Sequence, residues 1–225
     1  MKRKELLNGK TIPYDAPLPV LEEMLHDSQM QNYCLACEAL SWRSDEESFR
    51  LLSKQLNDRD RWRRLYAFQV IYRSHYAASL VPYAVQQLLS DDIPFVKAAL
   101  RNIEAYDLPC PEGAIKQTIE KYYDILYDEM KPLLRLETSE ENYSYLVELF
   151  RREGACLKQE IVADVLLARY EDLHPEELFA LLADSRYAKQ RAKAVRLAKR
   201  HGFDCTRLRT DPDGHVRKSC REAEK

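Results

Sequence analysis

The sequence contains few glycines and no long apolar run. Five glycines in 225 residues leave little scope for many tight hairpin turns, so we expect helices joined by short connections. No apolar stretch approaches the roughly 20 residues that a transmembrane helix requires. The basic residues near the N-terminus are not followed by the apolar segment of a secretory signal. We therefore expect a cytoplasmic protein that does not span a membrane.

Arrangements typical of catalytic or metal sites are also missing from the sequence. None of the five histidines forms an i,i+4 pair or a His-Glu dipeptide. Cys34 and Cys37 form a CxxC without the second pair that a zinc site requires, and we interpret them as buried small residues. Six cysteines without dense spacing are typical of free thiols in a reducing compartment. We therefore predict no metal, no cofactor and no catalytic activity.

The charge of the chain is balanced overall but unevenly distributed. Apolar residues make up 45% of the sequence and charged residues 32%, with a net charge of −2. This composition provides enough material for a core and does not indicate disorder. Residues 184–225 contain 13 Lys and Arg against 6 Asp and Glu, whereas residues 104–183 contain 8 against 18. A basic segment therefore follows an acidic one.

A repeat of about 30 residues runs through the chain. In each copy a leucine and an acid end one segment, and an apolar-then-basic pair such as Trp62-Arg63 or Val216-Arg217 begins the next, except in the first copy, which has Met30-Gln31. The acids lie at positions 27, 58, 91, 128, 153, 184 and 211, with gaps of 25 to 37 residues. Such spacing is typical of stacked helical pairs. We predict an all-α fold, an α-α superhelix of about six to seven helical pairs.

The repeat boundaries give a domain organisation and several local expectations. Residues 1–17 form a proline-containing lead-in, and residues 18–225 form one repeat domain. The predicted units are 18–43, 46–77, 80–107, 111–137, 139–172, 174–202 and a half unit from 203. We expect each junction acid to cap the second helix of its unit, and small or apolar residues such as Ala192 and Cys220 to face the stack. Pro132 predicts a short or distorted helix in the fourth unit.

The most prominent candidate site is a basic stripe near the C-terminus. With a helix running from Arg186 to His201, several basic side chains fall within a narrow arc. Two further arginines, four residues apart, extend the stripe into the last unit. Such a stripe is suited to phosphates or to an acidic protein segment; it can equally be a solvated face or pair with the acidic units beside it. Its residues are Arg186, Lys189, Lys193, Arg196, Arg200, Arg217 and Arg221.

Residues Asp211 to Cys220, and more loosely Asp184 to Ala192 and Asp58 to Ala67, resemble the turn-and-helix signature of the HEAT-repeat superfamily. The closest similarity is to the short-unit HEAT repeats of phycobilisome-lyase-like proteins. The resemblance covers the chain from about Leu18 onward. It implies a helical solenoid whose second helices line a concave groove and whose usual role is binding.

Three functions are compatible with this resemblance. The first is a non-enzymatic scaffold that binds a protein partner in its groove. The second is nucleic-acid binding through the C-terminal stripe, as in the HEAT-like alkyl-DNA glycosylases; their aromatic-acid cluster is not matched by Trp42 or Trp62. The third, a bilin lyase or chaperone role, has no support beyond the repeat itself. We predict the protein-binding scaffold and no membrane partner.

Overall fold

The computed structural model describes residues 5–152 and 156–223. Apart from one two-stranded hairpin, the regular secondary structure in these ranges is helical, and the predicted all-α fold class is confirmed. The chain divides into two compact units, residues 1–121 and 122–225. A continuous repeat domain over residues 18–225 and its superhelical arrangement stay predictions. Within the described ranges, no helix is long and apolar enough to cross a membrane.

A short hairpin precedes the first helix. Strands β1 (Leu6–Leu7) and β2 (Lys10–Thr11) pair antiparallel. Asn8 and Gly9 at the turn have φ values of 50° and 79°. A two-residue hairpin turn of this kind requires positive φ at both positions, which Asn-Gly adopts readily. The lead-in therefore contains a small β element that was not predicted.

The first unit consists of successive helical pairs. They are α1 (Leu18–His26) with α2 (Met30–Ser41), α3 (Glu46–Lys54) with α4 (Arg61–Ile71), and α5 (Val81–Leu88) with α6 (Ile93–Tyr106), followed by α7 (Glu112–Tyr122). The second helices pack side by side, α2 against α4 and α4 against α6. Because α2 also packs against α1 and α3, every residue from Tyr33 to Ser41 is buried. Helix α2 is therefore a central helix that its neighbours enclose, not a surface helix with one buried face.

The second unit repeats this arrangement. Its elements are a 3₁₀ helix (Asp128–Arg135), α8 (Glu140–Arg151), α9 (Cys156–Tyr170), α10 (Pro175–Ala183), α11 (Ala188–His201), a 3₁₀ helix (Thr206–Thr210) and α12 (Gly214–Ala223). Helix α9 packs against α8 and α11, and α11 packs against α10 and α12. The second helices of successive pairs therefore lie next to each other in this unit as well.

The predicted repeat boundaries agree with the helical pairs. Each unit from 18–43 to 174–202 encloses two main helical segments, and the half unit from 203 contains the last 3₁₀ helix and α12. The predicted unit 46–77 also contains a 3₁₀ turn (Gln55–Asn57), and a 3₁₀ helix (His75–Leu80) crosses from this unit into the next. Pro132 lies inside a 3₁₀ helix, as expected for the irregular fourth unit. Ala192 and Cys220 are buried, which confirms the predicted inward-facing positions. The predicted junction acid Glu153 lies outside the described residues.

The junction acids do not cap the second helices in the predicted way. Asp27, Asp58 and Asp211 each accept the backbone N–H two residues later, at distances of 2.7 to 2.8 Å, and so close the turn before the helix. In two other junctions the neighbouring serine takes this role: Ser90 and Ser185 accept from Asp92 and Tyr187. The prediction was wrong because the turn is longer than assumed. An Asx or Ser turn therefore comes before the helix.

Side chains of one repeat satisfy carbonyl groups at the helix ends of the repeat before it. The Arg63 guanidinium donates to the carbonyl oxygens of Leu25, at 3.1 Å, and of Asp27. In the second unit the Lys158 ammonium donates to the carbonyl of Tyr123. The last carbonyls of a helix have no partner inside the helix. These bonds therefore fix the register between neighbouring repeats.

Candidate functional site

The predicted basic stripe is divided between two elements and a turn. Helix α11 carries Lys189, Lys193, Arg196 and Arg200, while α12 carries Arg217 and Arg221. The helix begins at Ala188, not at Arg186. Arg186 therefore lies in the preceding turn, where the angular spacing of a helix does not apply.

Three cations of the stripe face acids on α9 and in the turn that follows it. The Lys189 ammonium lies 3.1 Å from the Glu160 carboxylate, and the Lys193 ammonium lies 2.5 Å from that of Asp164. Further along, the Arg200 guanidinium lies 3.0 Å from a carboxylate oxygen of Glu171 and 3.7 Å from one of Asp172. We call this set of ion pairs, which joins α9 and the turn after it to α11, the α9–α11 ladder: Glu160, Asp164, Glu171 and Asp172 with Lys189, Lys193 and Arg200.

The ladder changes the electrostatics of the predicted site. Each paired cation lies within 4 Å of a carboxylate, so its field at a distance is largely cancelled. On α12, the Arg217 guanidinium donates to the backbone carbonyls of Asp211 and Pro212. Arg196 and Arg221 are exposed to solvent. The surface is therefore a mixed charged face, not a uniformly basic one.

An open groove of about 810 Å³ lies in the second unit between α8 and α10. Its middle is lined by Val147, Ala180 and Leu181. Both helices are first helices of successive repeats, so this groove differs from the predicted concave groove, which second helices would line. They pack on second helices, not extensively on each other. A groove of this size, with an apolar middle and polar ends, is in the range that proteins use for binding.

The two ends of this groove differ in charge. Where α8 and α10 end, three arginines line it, Arg151, Arg152 and Arg186, together with two acids, Glu148 and Asp184. Where the helices begin, Tyr143 and Glu177 line it, and the Tyr143 hydroxyl lies 2.9 Å from the Glu177 carboxylate. Burial raises the pKa of the Tyr143 hydroxyl, and its hydrogen bond to Glu177 adds to this rise. The Tyr143 hydroxyl therefore stays protonated and donates a hydrogen bond to the Glu177 carboxylate.

His174 lies next to the end of the groove that Tyr143 and Glu177 line. Its ring stacks on Tyr143 with centroids 4.0 Å apart, and its Nε2 lies 3.0 Å from the Glu140 carboxylate. The Nδ1 atom lies 3.8 Å from the Glu177 carboxylate. These contacts fix the starts of α8 and α10 next to each other. The carboxylates of Glu140 and Glu177 remain mostly exposed.

A buried charged cluster in the first unit was not foreseen from the sequence. Glu38 on α2 is only 1% exposed, yet its carboxylate accepts from the Tyr66 hydroxyl at 3.0 Å and pairs with the Arg73 guanidinium. Arg73 also donates to the Ser41 hydroxyl at 3.2 Å and lies over the Trp42 ring. The sequence signal for this cluster was a single acid, Glu38, within an otherwise largely apolar part of α2.

This cluster is best explained as a link between α2 and the end of α4. The buried Glu38 carboxylate is neutralised by the Arg73 guanidinium. This ion pair therefore joins α2 to the residues that follow α4. Arg73 lies over the Trp42 ring and pairs with Glu38, so the acid of this cluster is already bound by a guanidinium. The sequence signal for this pair is weak because 35 residues separate its members.

The CxxC cysteines are buried, as predicted. Cys34 is 8% exposed and Cys37 is fully enclosed. Burial raises the pKa of the Cys34 thiol to about 11 and that of the Cys37 thiol well above its usual value. A reactive cysteine needs a lowered pKa and access to solvent. Among the described residues, no group of three or more histidine, cysteine or acidic side chains is arranged to hold a metal ion.

No protein-family model matches this chain, and no curated protein matches it.

Proposed function

We propose that this chain is a HEAT-like scaffold that binds a protein partner and has no catalytic role of its own. The observation that carries the proposal is the α8–α10 groove, which combines an apolar middle with charged ends in an open cleft of about 810 Å³. Interfaces between proteins commonly have an apolar centre surrounded by polar groups. Nucleic-acid surfaces, in contrast, are predominantly basic.

The repeat construction supports the HEAT-like assignment. Turns closed by Asp or Ser recur before the second helices, and side chains from one repeat bind carbonyls of the one before. Repeat proteins stack in this way and present extended surfaces for partners. All six cysteines are free thiols, which supports the proposed cytoplasmic location.

Nucleic-acid binding is the second candidate. Arg196 and Arg221 are exposed on α11 and α12, and Lys199 and Lys218 beside them are exposed as well. These side chains could contact phosphates. The α9–α11 ladder weakens this candidate, because a phosphate chain passing over α11 would also meet the carboxylates of Glu160 and Asp164. Repulsion between the phosphates and these carboxylates opposes the attraction between phosphates and basic side chains on which non-specific binding depends.

The proposal is tested by site-specific photo-crosslinking in the source cells. A benzophenone amino acid replaces Ser144, an exposed residue that lines the groove, and in a matched variant it replaces Arg50, an exposed residue of α3 in the other unit. We expect a protein to be crosslinked from position 144 and not from position 50. That protein, once purified, should also bind the purified full chain. Crosslinking to nucleic acid alone, or to nothing from either position, would overturn the proposal.

A further inference from the structure

We propose that the α8–α10 groove recognises a short linear segment of the partner that has an acidic residue at one end, apolar residues in the middle and a basic residue at the other end. This inference rests on the proposed scaffold function and specifies what the groove takes. It follows from three properties of the groove: the direction of its two helices, the charges at its ends and its length.

The two helices run in the same direction along the groove. Near their starts, the Tyr143 hydroxyl on α8 contacts Glu177 on α10, and His174 before α10 contacts Glu140 on α8. At the other end, the last residues of α8 and the turn after α10 line the same cleft. Charges at corresponding helix ends therefore reinforce each other, and the groove has a basic end and an acidic end.

The basic end is suited to a carboxylate. Arg151 and Arg152 end α8, and Arg186 approaches from the turn after α10. Two carboxylates, Glu148 and Asp184, line the same end, but the three arginines outnumber them, and Asp184 is paired with Arg207 at 3.0 Å. Guanidinium groups bind carboxylates in a planar, two-point geometry that a partner's Asp or Glu can match.

The acidic end is suited to a lysine or arginine. The Glu140 and Glu177 carboxylates are 81% and 69% exposed, and the His174 ring lies 3.0 Å from the first and 3.8 Å from the second. A basic side chain entering here would lie beside two carboxylates. Carboxylates attract cations.

The length of the groove sets the size of the segment. Tyr143 and Arg151 are eight residues apart on α8, which corresponds to about 12 Å at the helical rise. An extended chain covers that distance in about four residues. Val147, Ala180 and Leu181 lie between the ends, so the central residues of the segment should be apolar. A segment of about four to six residues satisfies both ends at once.

The test is a selection of random eight-residue peptides, displayed on phage, on the immobilised full chain. We expect the enriched peptides to share an acid and a base separated by two to four mostly apolar residues. Synthetic, labelled versions are then titrated by fluorescence anisotropy against the wild type and the groove variants Arg151→Glu and Ala180→Arg. Both residues are exposed, so the variants should keep their circular dichroism spectrum and unfolding midpoint. Arg50→Glu, with the same charge change outside the groove, is the matched control.

We expect Arg151→Glu and Ala180→Arg each to weaken binding at least about tenfold, and Arg50→Glu to leave it unchanged. Replacing the peptide's acid by lysine should restore affinity for Arg151→Glu and lower it for the wild type. Enriched peptides without the charge order, or peptides whose binding ignores both groove variants, would overturn the inference, and so would a selection that enriches nothing. The crosslinking experiment separates this failure from that of the scaffold function, because a partner crosslinked at position 144 would still support a scaffold.

Discussion

Arg191 binds both carboxylate oxygens of Asp211, with its Nε 2.6 Å from Oδ2 and its Nη2 3.0 Å from Oδ1. The same guanidinium donates to the Ser185 carbonyl at 2.8 Å, so it connects the turn before α11 to the turn before α12. The Asp211 side chain is 4% exposed and that of Arg191 is 14% exposed. This pair therefore connects the last two repeats in a place that water barely reaches.

Asp211→Asn should destabilise the second unit. Asparagine can still accept the N–H of Asp213, so the turn is retained, but the charge opposite Arg191 is lost. Removing one partner of a buried ion pair strands the other, and we expect a loss of about 3 kcal/mol in the free energy of unfolding. Urea denaturation measures it. Asp184→Asn is the control: its pair with Arg207 is exposed on both sides, so a loss above about 1 kcal/mol there would contradict this reasoning.

The stability of the second unit should fall in acid partly through Asp211. The hydrogen bonds from Arg191 lower the pKa of the Asp211 carboxyl below its usual value. A carboxyl with a lowered folded pKa contributes stability above its unfolded pKa, and that contribution is lost as the pH falls through the folded pKa. Urea denaturation between pH 7 and pH 3 should therefore show a shallower decline for Asp211→Asn and for Arg191→Met than for the wild type. Profiles parallel to the wild type would exclude this contribution.

The turn around Asp211 shows how far the sequence leads. Local sequence patterns predict the helical pairs, the irregular segment at Pro132 and the buried positions of α11. These patterns recur along the chain because it is built of repeats. The register of the turns does not: Ser90 and Ser185 close two turns in which Asp91 and Asp184 were the predicted residues. A difference of one residue in turn length changes which side chain accepts the backbone N–H. The local spacing of residues in the sequence does not determine that length.

The candidate site depends on contacts between residues far apart in the chain. The stripe on α11 was visible as a helical pattern, but its pairing with Glu160 and Asp164 requires α9 to pack beside it. The α8–α10 groove exists because these two first helices do not pack closely against each other. The sequence of either helix alone does not predict this gap. The Asn8-Gly9 turn of the hairpin was, in contrast, a local signal that was available in the sequence.

The Glu38–Arg73 pair should show strong coupling between its members. Arg73→Met leaves the buried Glu38 carboxylate without its cation, and we expect a loss of about 3 to 5 kcal/mol. Glu38→Gln keeps an acceptor for Tyr66 and should cost less. The double variant should be more stable than Arg73→Met alone, because no buried charge is then stranded. A double-mutant cycle in urea measures this coupling, and additive losses would refute it.

The thiols should differ in reactivity according to their burial. Cys34, Cys37 and Cys220 are buried, whereas Cys110, Cys156 and Cys205 are partly exposed. Iodoacetamide at pH 8 should therefore modify the three partly exposed cysteines first, because alkylation requires an accessible thiolate. The buried Cys34 has a pKa of about 11, so little of it is thiolate at this pH. Mass spectrometry of the native protein over time gives the order. Early modification of Cys34 or Cys37 would mean that the first unit opens readily.

A protein partner is favoured over a nucleic acid because the α9–α11 ladder neutralises much of the basic stripe. Fluorescence anisotropy with a labelled DNA duplex, titrated at several salt concentrations, tests this claim most directly. A matched variant, Glu160→Gln with Asp164→Asn, removes the carboxylates that face Lys189 and Lys193. The account predicts no wild-type binding at protein concentrations up to about 10 μM in low salt, and measurable, salt-sensitive binding by the variant. Micromolar binding by the wild type that weakens steeply with salt, and that Lys193→Glu with Arg196→Glu abolishes, would contradict it.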